Sequence, residues 1–168
     1  MKKIPLSRGH FAIVDDEDFD KVSKLKWHVR ESKKGCKTLY ATSSRRNEGK
    51  VALRMHRLII GAELRFQVDH IDGNGLNNQK SNLRICTHHQ NQFNKSFSDK
   101  NKSGFKGVSS HQNSEKFRAR LKLNGREIHL GLFSDKMEAA LTYDLAAVKH
   151  FGQFARTNAM LGKYDSVS

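Results

Sequence analysis

The sequence predicts an α+β protein built from two small units, and three features carry that reading. Short strand-like apolar segments fill the first half: Phe11-Ala-Ile-Val, Lys26-Trp-His-Val, Thr38-Leu-Tyr-Ala-Thr and Val51-Ala-Leu. Between Asn94 and Gly104 the composition turns to Asn, Lys, Ser, Phe, Asp and Gly without periodicity, the mark of a linker. Beyond it, the run Lys116 to Leu123 alternates strictly between apolar and polar residues, and an alanine-rich helical pattern follows. At 168 residues and 36% hydrophobic content, two modest cores suit the chain better than one large one.

Each element has a local cause. The run Asp16 to Leu25 predicts a short helix, with Phe19, Val22 and Leu25 on one face. Trp27, set among apolar residues, is read as a core anchor. Met55 to Ile60 predicts a brief helix stopped by Gly61. Thr87 and Gln90 form a Thr-x-x-Gln capping box, so a helix starts at His88. In the second half, Phe117, Ala119, Leu121 and Leu123 share one strand face while Arg118, Arg120 and Lys122 share the other. Asn124-Gly125 is a type I′ turn, Arg126 to Phe133 the return strand, and Phe105 to His111 a third strand. Asp135 and Glu138 cap a helix running to about Phe151, with Ala139, Ala140, Ala146 and Ala147 letting it lie close on the sheet.

Composition restricts the function. A formal net charge of +14 and a pI near 10.0 imply an anionic partner, and a polyanion accounts for such an excess better than a small acidic substrate. Cys36 and Cys86 stand far apart, fit a reducing compartment as buried thiols, and supply no zinc ribbon. With neither a signal peptide's apolar core nor a membrane span, the chain is expected to be soluble, intracellular and cytoplasmic. Walker, dinucleotide-glycine and Gly-x-Ser-x-Gly motifs are absent from the sequence.

The stretch Val68 to Asn91 concentrates the chemistry. Asp69 and Asn91 offer a carboxylate and a carboxamide, the oxygen donors a hard cation such as Mg²⁺ accepts while keeping several waters. His70, with an unperturbed pKa of ~6.5, suits a general base near neutral pH. Adjacent strand residues point to opposite faces, so Asp69 and His70 must lie at a strand end or on an irregular segment to address one phosphate. In order, residue type and spacing, these residues resemble the HNH nuclease family, in its phage and intron homing-endonuclease subgroup. The resemblance implies a ββα-metal motif over about 64–94, with Asp69 and Asn91 as ligands of one divalent metal, Mg²⁺ with Mn²⁺ as the alternative. It also implies His70 as general base and Asn82 as a brace for the hairpin loop. His88 lies one helical turn before Asn91 and is a candidate substitute ligand or phosphate donor. Arg84 and Arg57 are candidate phosphate contacts.

Residues from Gly104 to Asn158 resemble the Apetala-two, or ethylene-response-factor, DNA-binding domain. The matching landmarks are Gly107-Val108, Lys116-Phe117, Leu130 to Phe133, Glu138 to Ala140, Tyr143-Asp144, Ala146-Ala147, Phe154-Ala155 and Asn158. By this resemblance the strands enter the DNA major groove, and Lys106, Ser109, His111, Arg118, Arg120, Lys122 and His129 occupy the contacting positions. Ser109, Arg120 and His129 depart from the plant pattern of arginine, glutamate and tryptophan, so the plant base preference is not expected to transfer.

The expected organisation is a nuclease domain at 1–94, a basic linker at 95–103, a DNA-binding domain at 104–158 and a tail at 159–168. The expected function is site-directed, metal-dependent cleavage of double-stranded DNA, of the homing type. Without an obvious dimerisation stripe in the sequence, a monomer nicking one strand is expected. The alternatives are a DNA-binding regulator whose nuclease fold is inactive and, with less support, an RNA-binding protein, which the basic sheet face disfavours because no aromatic stacking array interrupts it.

Overall fold

Alternation of apolar and polar residues gives the N-terminal strands their buried face. In the computed structural model, which describes residues 1–32, 38–46, 52–94, 101–112 and 114–165, β1 (Lys2–Pro5) pairs antiparallel with β2 (Phe11–Val14). Ile4, Ala12 and Val14 point into the core. β1 is not visible in the sequence pattern, because Ile4 is its only buried side chain. The expected helix at 16–25 is shorter: a 3₁₀ turn at Asp16–Asp18 leads into α1 (Phe19–Ser23), and Phe19, Val22 and Leu25 all pack on the core.

A three-stranded antiparallel sheet follows, in the order β3 (Trp27–Glu31), β4 (Leu39–Arg46), β5 (Ala52–Arg54). Trp27 is a buried anchor whose Nε1 donates to Val22 O at 2.9 Å. β4 extends past the expected Thr42 to Arg46. Cys36 and Val51 lie outside the described residues, while Cys86 is a buried free thiol. α2 (Met55–Ile60) ends at Gly61, whose φ of 65° is the left-handed conformation glycine adopts at a helix terminus. Next come the hairpin of β6 (Gln67–His70) and β7 (Leu83–Cys86) and then α3 (His88–Phe93), started by the reciprocal bonds of Thr87 and Gln90.

The chain divides into two compact units, Met1–Asn91 and Gln92–Ser168. In the second, β8 (Val108–Ser110), β9 (Phe117–Leu123) and β10 (Arg126–Phe133) form an antiparallel sheet with β9 central, covered by α4 (Lys136–Phe151). Asn124 and Gly125 have φ of 50° and 80°, both left-handed as a type I′ turn requires. Ala139, Ala140 and Ala147 are wholly buried with Ala119 and Leu121. β8 is shorter than the expected strand at 105–111. Phe105 instead enters the core, and Gly107, at φ 77°, sits where a Cβ would overlap the Tyr143 ring.

Two stretches read from sequence as linker and tail contribute bonded residues to this unit. Asn101 and Ser103, expected in the linker, form a bonded turn in which Asn101 Nδ2 donates to Phe105 O at 2.6 Å and Ser103 Oγ to Val108 O at 2.8 Å; residues 95–100 lie outside the described residues. Beyond Asn158, expected to be tail, the chain returns to the buried Asp144. That carboxylate accepts from Asn158 N, Asn158 Nδ2, Ala159 N and Tyr164 OH. Burial and the Asp144 carboxylate both push the Tyr164 phenol pKa up. The outer face of α4 exposes Leu141, Leu145 and Val148, an apolar i, i+4, i+7 stripe that the sequence reading did not single out. No described helix is long and apolar enough to cross a membrane.

Candidate active site

The β6–β7 hairpin delivers the site residues in register. Gln67 opposes Cys86, Asp69 opposes Arg84, and His70 opposes Leu83 at the strand end. Asp69 and His70 are both 5% exposed, and their side chains have different neighbours. Asp69 Oδ2 accepts from Arg84 Nε at 2.8 Å and Nη2 at 2.6 Å. The His70 ring instead lies 5.0 Å from that of His56 and 5.7 Å from that of Tyr40, centroid to centroid.

The surroundings of His70 favour its neutral ring. Its Nε2 stands 3.5 Å from Asn78 Oδ1, and Asn78 Nδ2 is committed as donor to Leu76 O at 3.1 Å. The carboxamide orientation therefore makes Oδ1 an acceptor, which assigns the His70 proton to Nε2 and the basic lone pair to Nδ1. Burial holds the His70 pKa below the ordinary histidine value, against the opposing pull of the Asn78 bond and of the Asp72 and Asp69 charges.

The 71–82 loop is held by its own carboxamides. Asn82, 8% exposed, accepts from Asp72 N at 3.0 Å and donates to Asp72 Oδ1 and Asn77 O, both at 2.9 Å. Asp72 also accepts from Asn74 N and Asn77 Nδ2. The N-terminal hairpin fixes the same loop from outside: Ile13 N donates to Leu76 O at 2.9 Å and Asn78 N to Ile13 O at 2.7 Å. Asp15 accepts from Gln79 Nε2 and Lys80 N, and these bonds, the Gln79 one first, lower its pKa. Gly75 has no Cβ because one would strike Leu39 O and the Tyr40 ring.

Asn91 reaches the hairpin through Gln67. Its Nδ2 donates to Gln67 Oε1 at 2.6 Å, and Gln67 Nε2 donates to His88 Nδ1 at 3.1 Å. Gln67 is two residues from Asp69 on the same strand. With its nitrogen so committed, Asn91 has Oδ1 as the atom to offer a cation. Among the described residues no group of three or more His, Cys, Asp or Glu is poised for a metal, so a closed zinc-type cage is absent. A carboxylate such as Asp69 and a carboxamide such as Asn91 are instead donor types that a hard divalent ion retaining waters accepts.

Other expected contacts are placed differently. Arg84 is paired with Asp69, and Arg57 donates to the carbonyls of Phe66, Ala62 and Glu63, tying down the α2–β6 connection; both were read as phosphate contacts. Lys106, read as a DNA contact, turns inward: its Nζ donates to Phe93 O and Arg156 O, and burial lowers its pKa to about 8. Arg118, Arg120 and Lys122 alternate along β9, with Arg120 in register with His129 and paired to Glu127 at 2.9 Å. Ser109 opposes Arg118, and His111 lies just beyond β8 with Nδ1 3.2 Å from Ser114 Oγ.

No site role was read from sequence for Tyr40, His56, Asn78 or Asp15, because their roles depend on contacts between distant segments. Only the repeated carboxamides of Asn77-Asn78 inside the motif carried a local signal.

Comparison with known proteins finds relatives for the same segment and for most of the chain. The family described as HNH endonuclease matches residues 61–93, from the end of α2 to the end of α3. A mimivirus protein, from Acanthamoeba polyphaga mimivirus and named as an uncharacterized HNH endonuclease, is 36% identical over 155 residues, covering 90% of this chain and 76% of the relative. Protein 3.8 of Escherichia phage T7 is 33% identical over 91 residues, 54% of this chain and 74% of that protein. An AP2-like ethylene-responsive transcription factor of Arabidopsis thaliana is 37% identical over 65 residues, 38% of this chain but 11% of the plant protein. With a motif that spans the β6–β7 hairpin and α3, and a similarity that runs through most of both chains, this protein belongs to the HNH endonuclease family.

Proposed function

We propose that the protein is a site-directed DNA endonuclease of the homing type, in which a ββα-metal site formed by β6, β7 and α3 hydrolyses one phosphodiester of double-stranded DNA. The observation that carries this reading is the end of β6, where a neutral, oriented imidazole adjoins a buried carboxylate. Asp69 and Asn91 hold one divalent ion, Mg²⁺ or Mn²⁺. When bound, that ion supplies charge stabilisation at the scissile phosphate and the leaving 3′ oxygen. His70 Nδ1 takes the proton of the attacking water, while Asn78 keeps the other ring nitrogen protonated. Asn82 holds the loop that carries Asn78. His88 shares Gln67 with Asn91 and so orients the carboxamide from the other side.

The second unit supplies the site preference in this reading. A cleavage centre that meets backbone reads no sequence, whereas a basic sheet in the major groove meets base edges. Arg118, Arg120 and Lys122, with Ser109, His111 and His129 beside them, form an Apetala-two-like reading face, supported by the similarity to the plant factor. One site per chain predicts nicking by a monomer. Supercoiled plasmid incubated with the protein and Mg²⁺ tests the reading: relaxed circles form, and EDTA prevents them. A plasmid that carries the target site and stays unchanged with folded protein and either ion overturns it.

A further inference from the structure

We propose that His56 is a positioning residue for this reaction, fixing the ring of His70 in the orientation that presents its basic nitrogen. The proposal rests on the assignment of His70 as the base and adds the residue that keeps that base in place.

Three rings form a closed cluster. The His56 ring stands edge-on to that of His70, with centroids 5.0 Å apart and planes at 86°. Tyr40 lies 5.8 Å from His56 and 5.7 Å from His70. The polar restraint on His70 from Asn78 is long, at 3.5 Å, so it defines which nitrogen is protonated better than it fixes the ring plane. Edge packing by His56 and Tyr40 restrains the ring plane directly. A base displaced by ~1 Å is expected to slow the reaction by about 10²-fold.

Packing alone does not explain a histidine here. His56 is 3% exposed, and its Nδ1 is wholly buried with no hydrogen-bond partner among the described residues. An apolar side chain would leave no stranded nitrogen, so position 56 forgoes stability. The compensation is geometric. A five-membered ring fits against His70 where a larger ring would push it, and the side chain also lines the cleft shared with Tyr40, Gln67 and Asn91. Burial lowers the His56 pKa to about 2, so it faces His70 as an uncharged ring that does not repel a proton arriving there.

The test uses the full-length protein with His56→Phe, His56→Ala and His70→Ala. His56→Phe is expected to melt at or above the wild-type temperature, yet cleave pre-bound plasmid at least tenfold more slowly in a single turnover, with DNA affinity unchanged. His56→Ala is expected to be slower still. Long-range ¹H–¹⁵N correlation of the metal-free, DNA-free protein gives an independent readout. The His70 ring shows one Nε2–H tautomer in the wild type and a mixture or exchange broadening in both His56 variants. Wild-type single-turnover rates in both His56 variants overturn the proposal, whatever the spectrum. If His70→Ala itself cleaves normally, the base assignment falls and this proposal with it. An inactive His70→Ala beside fully active His56 variants removes only the role of His56.

Discussion

Replacing Asn82 by alanine isolates the bonds that shape the 71–82 loop. The substitution removes an acceptor for Asp72 N at 3.0 Å and donors to Asp72 Oδ1 and Asn77 O, both at 2.9 Å. Two are bonds between neutral partners, worth about 1 kcal/mol each, and the carboxylate bond contributes roughly 1.5–3 kcal/mol. Water reaches exposed Asp72 once the bonds are gone and recovers part of this, so the expected loss is about 3 kcal/mol. Urea unfolding followed by fluorescence of Trp27, the single tryptophan, reports on the unit that holds Asn82. With a urea slope of about 2 kcal/mol/M, the midpoint should fall by roughly 1.5 M at constant slope. Asn82→Asp keeps the acceptor but sets a second carboxylate against Asp72, so it should lose at least as much. A midpoint within about 0.3 M of wild type for Asn82→Ala would refute the bracing role.

Arg84→Ala removes the guanidinium bonds from the buried Asp69 carboxylate and should cost about 3 kcal/mol, whereas Asp69→Asn in the same background should recover much of it; equal stability of single and double variants contradicts the coupling. Acidification should weaken the first unit, because His56 titrates from an unfolded value of 6.5 to a folded value of about 2 and its neutral form stabilises the fold. The contribution is fully present above pH 6.5 and falls as pH drops toward the folded value, by about 1.4 kcal/mol between pH 7.5 and 5.5, and His56→Phe should flatten that slope in urea titrations at the two pH values. Arg118→Ala or Lys122→Ala should cost about 1–3 kcal/mol at a single base position if the side chain reads an edge, measured by competition binding against substituted sites, whereas a uniform loss across all sites indicates a phosphate contact. Supercoiled plasmid should convert to the nicked circle with little linear product; early stoichiometric linear DNA points to paired copies, for which the exposed Leu141, Leu145 and Val148 stripe offers a surface.

What was legible in the sequence followed local rules. The Asn124-Gly125 turn, the Thr87–Gln90 box, the Asp135 cap and the Gly61 stop are each written within four residues, and each stands in the fold. β1 was lost because its edge position buries one side chain, too few to show a period. The 159–164 segment looked like a tail because its anchor, Asp144, lies 14 to 20 residues earlier in the chain. Basic residues were the hardest to read. A lysine's charge suggests phosphate, yet Lys106 spends its ammonium on two backbone carbonyls and Arg57 its guanidinium on three. Candidate site residues could be named by type and spacing, but their supports could not. Asn78 meets His70 across a loop, and Tyr40 and His56 meet it from other elements, so only the folded chain brings them together.

The central claim is that His70 is the base of a hydrolytic site whose metal is held by Asp69 and Asn91. Single-turnover cleavage of a pre-formed protein–DNA complex, started by adding Mg²⁺ and compared between wild type and His70→Ala, addresses it most directly. The account predicts equal DNA affinity and a cleavage rate lowered by about 10²-fold or more in the variant. A His70→Ala protein that cleaves within a few-fold of wild type would contradict it.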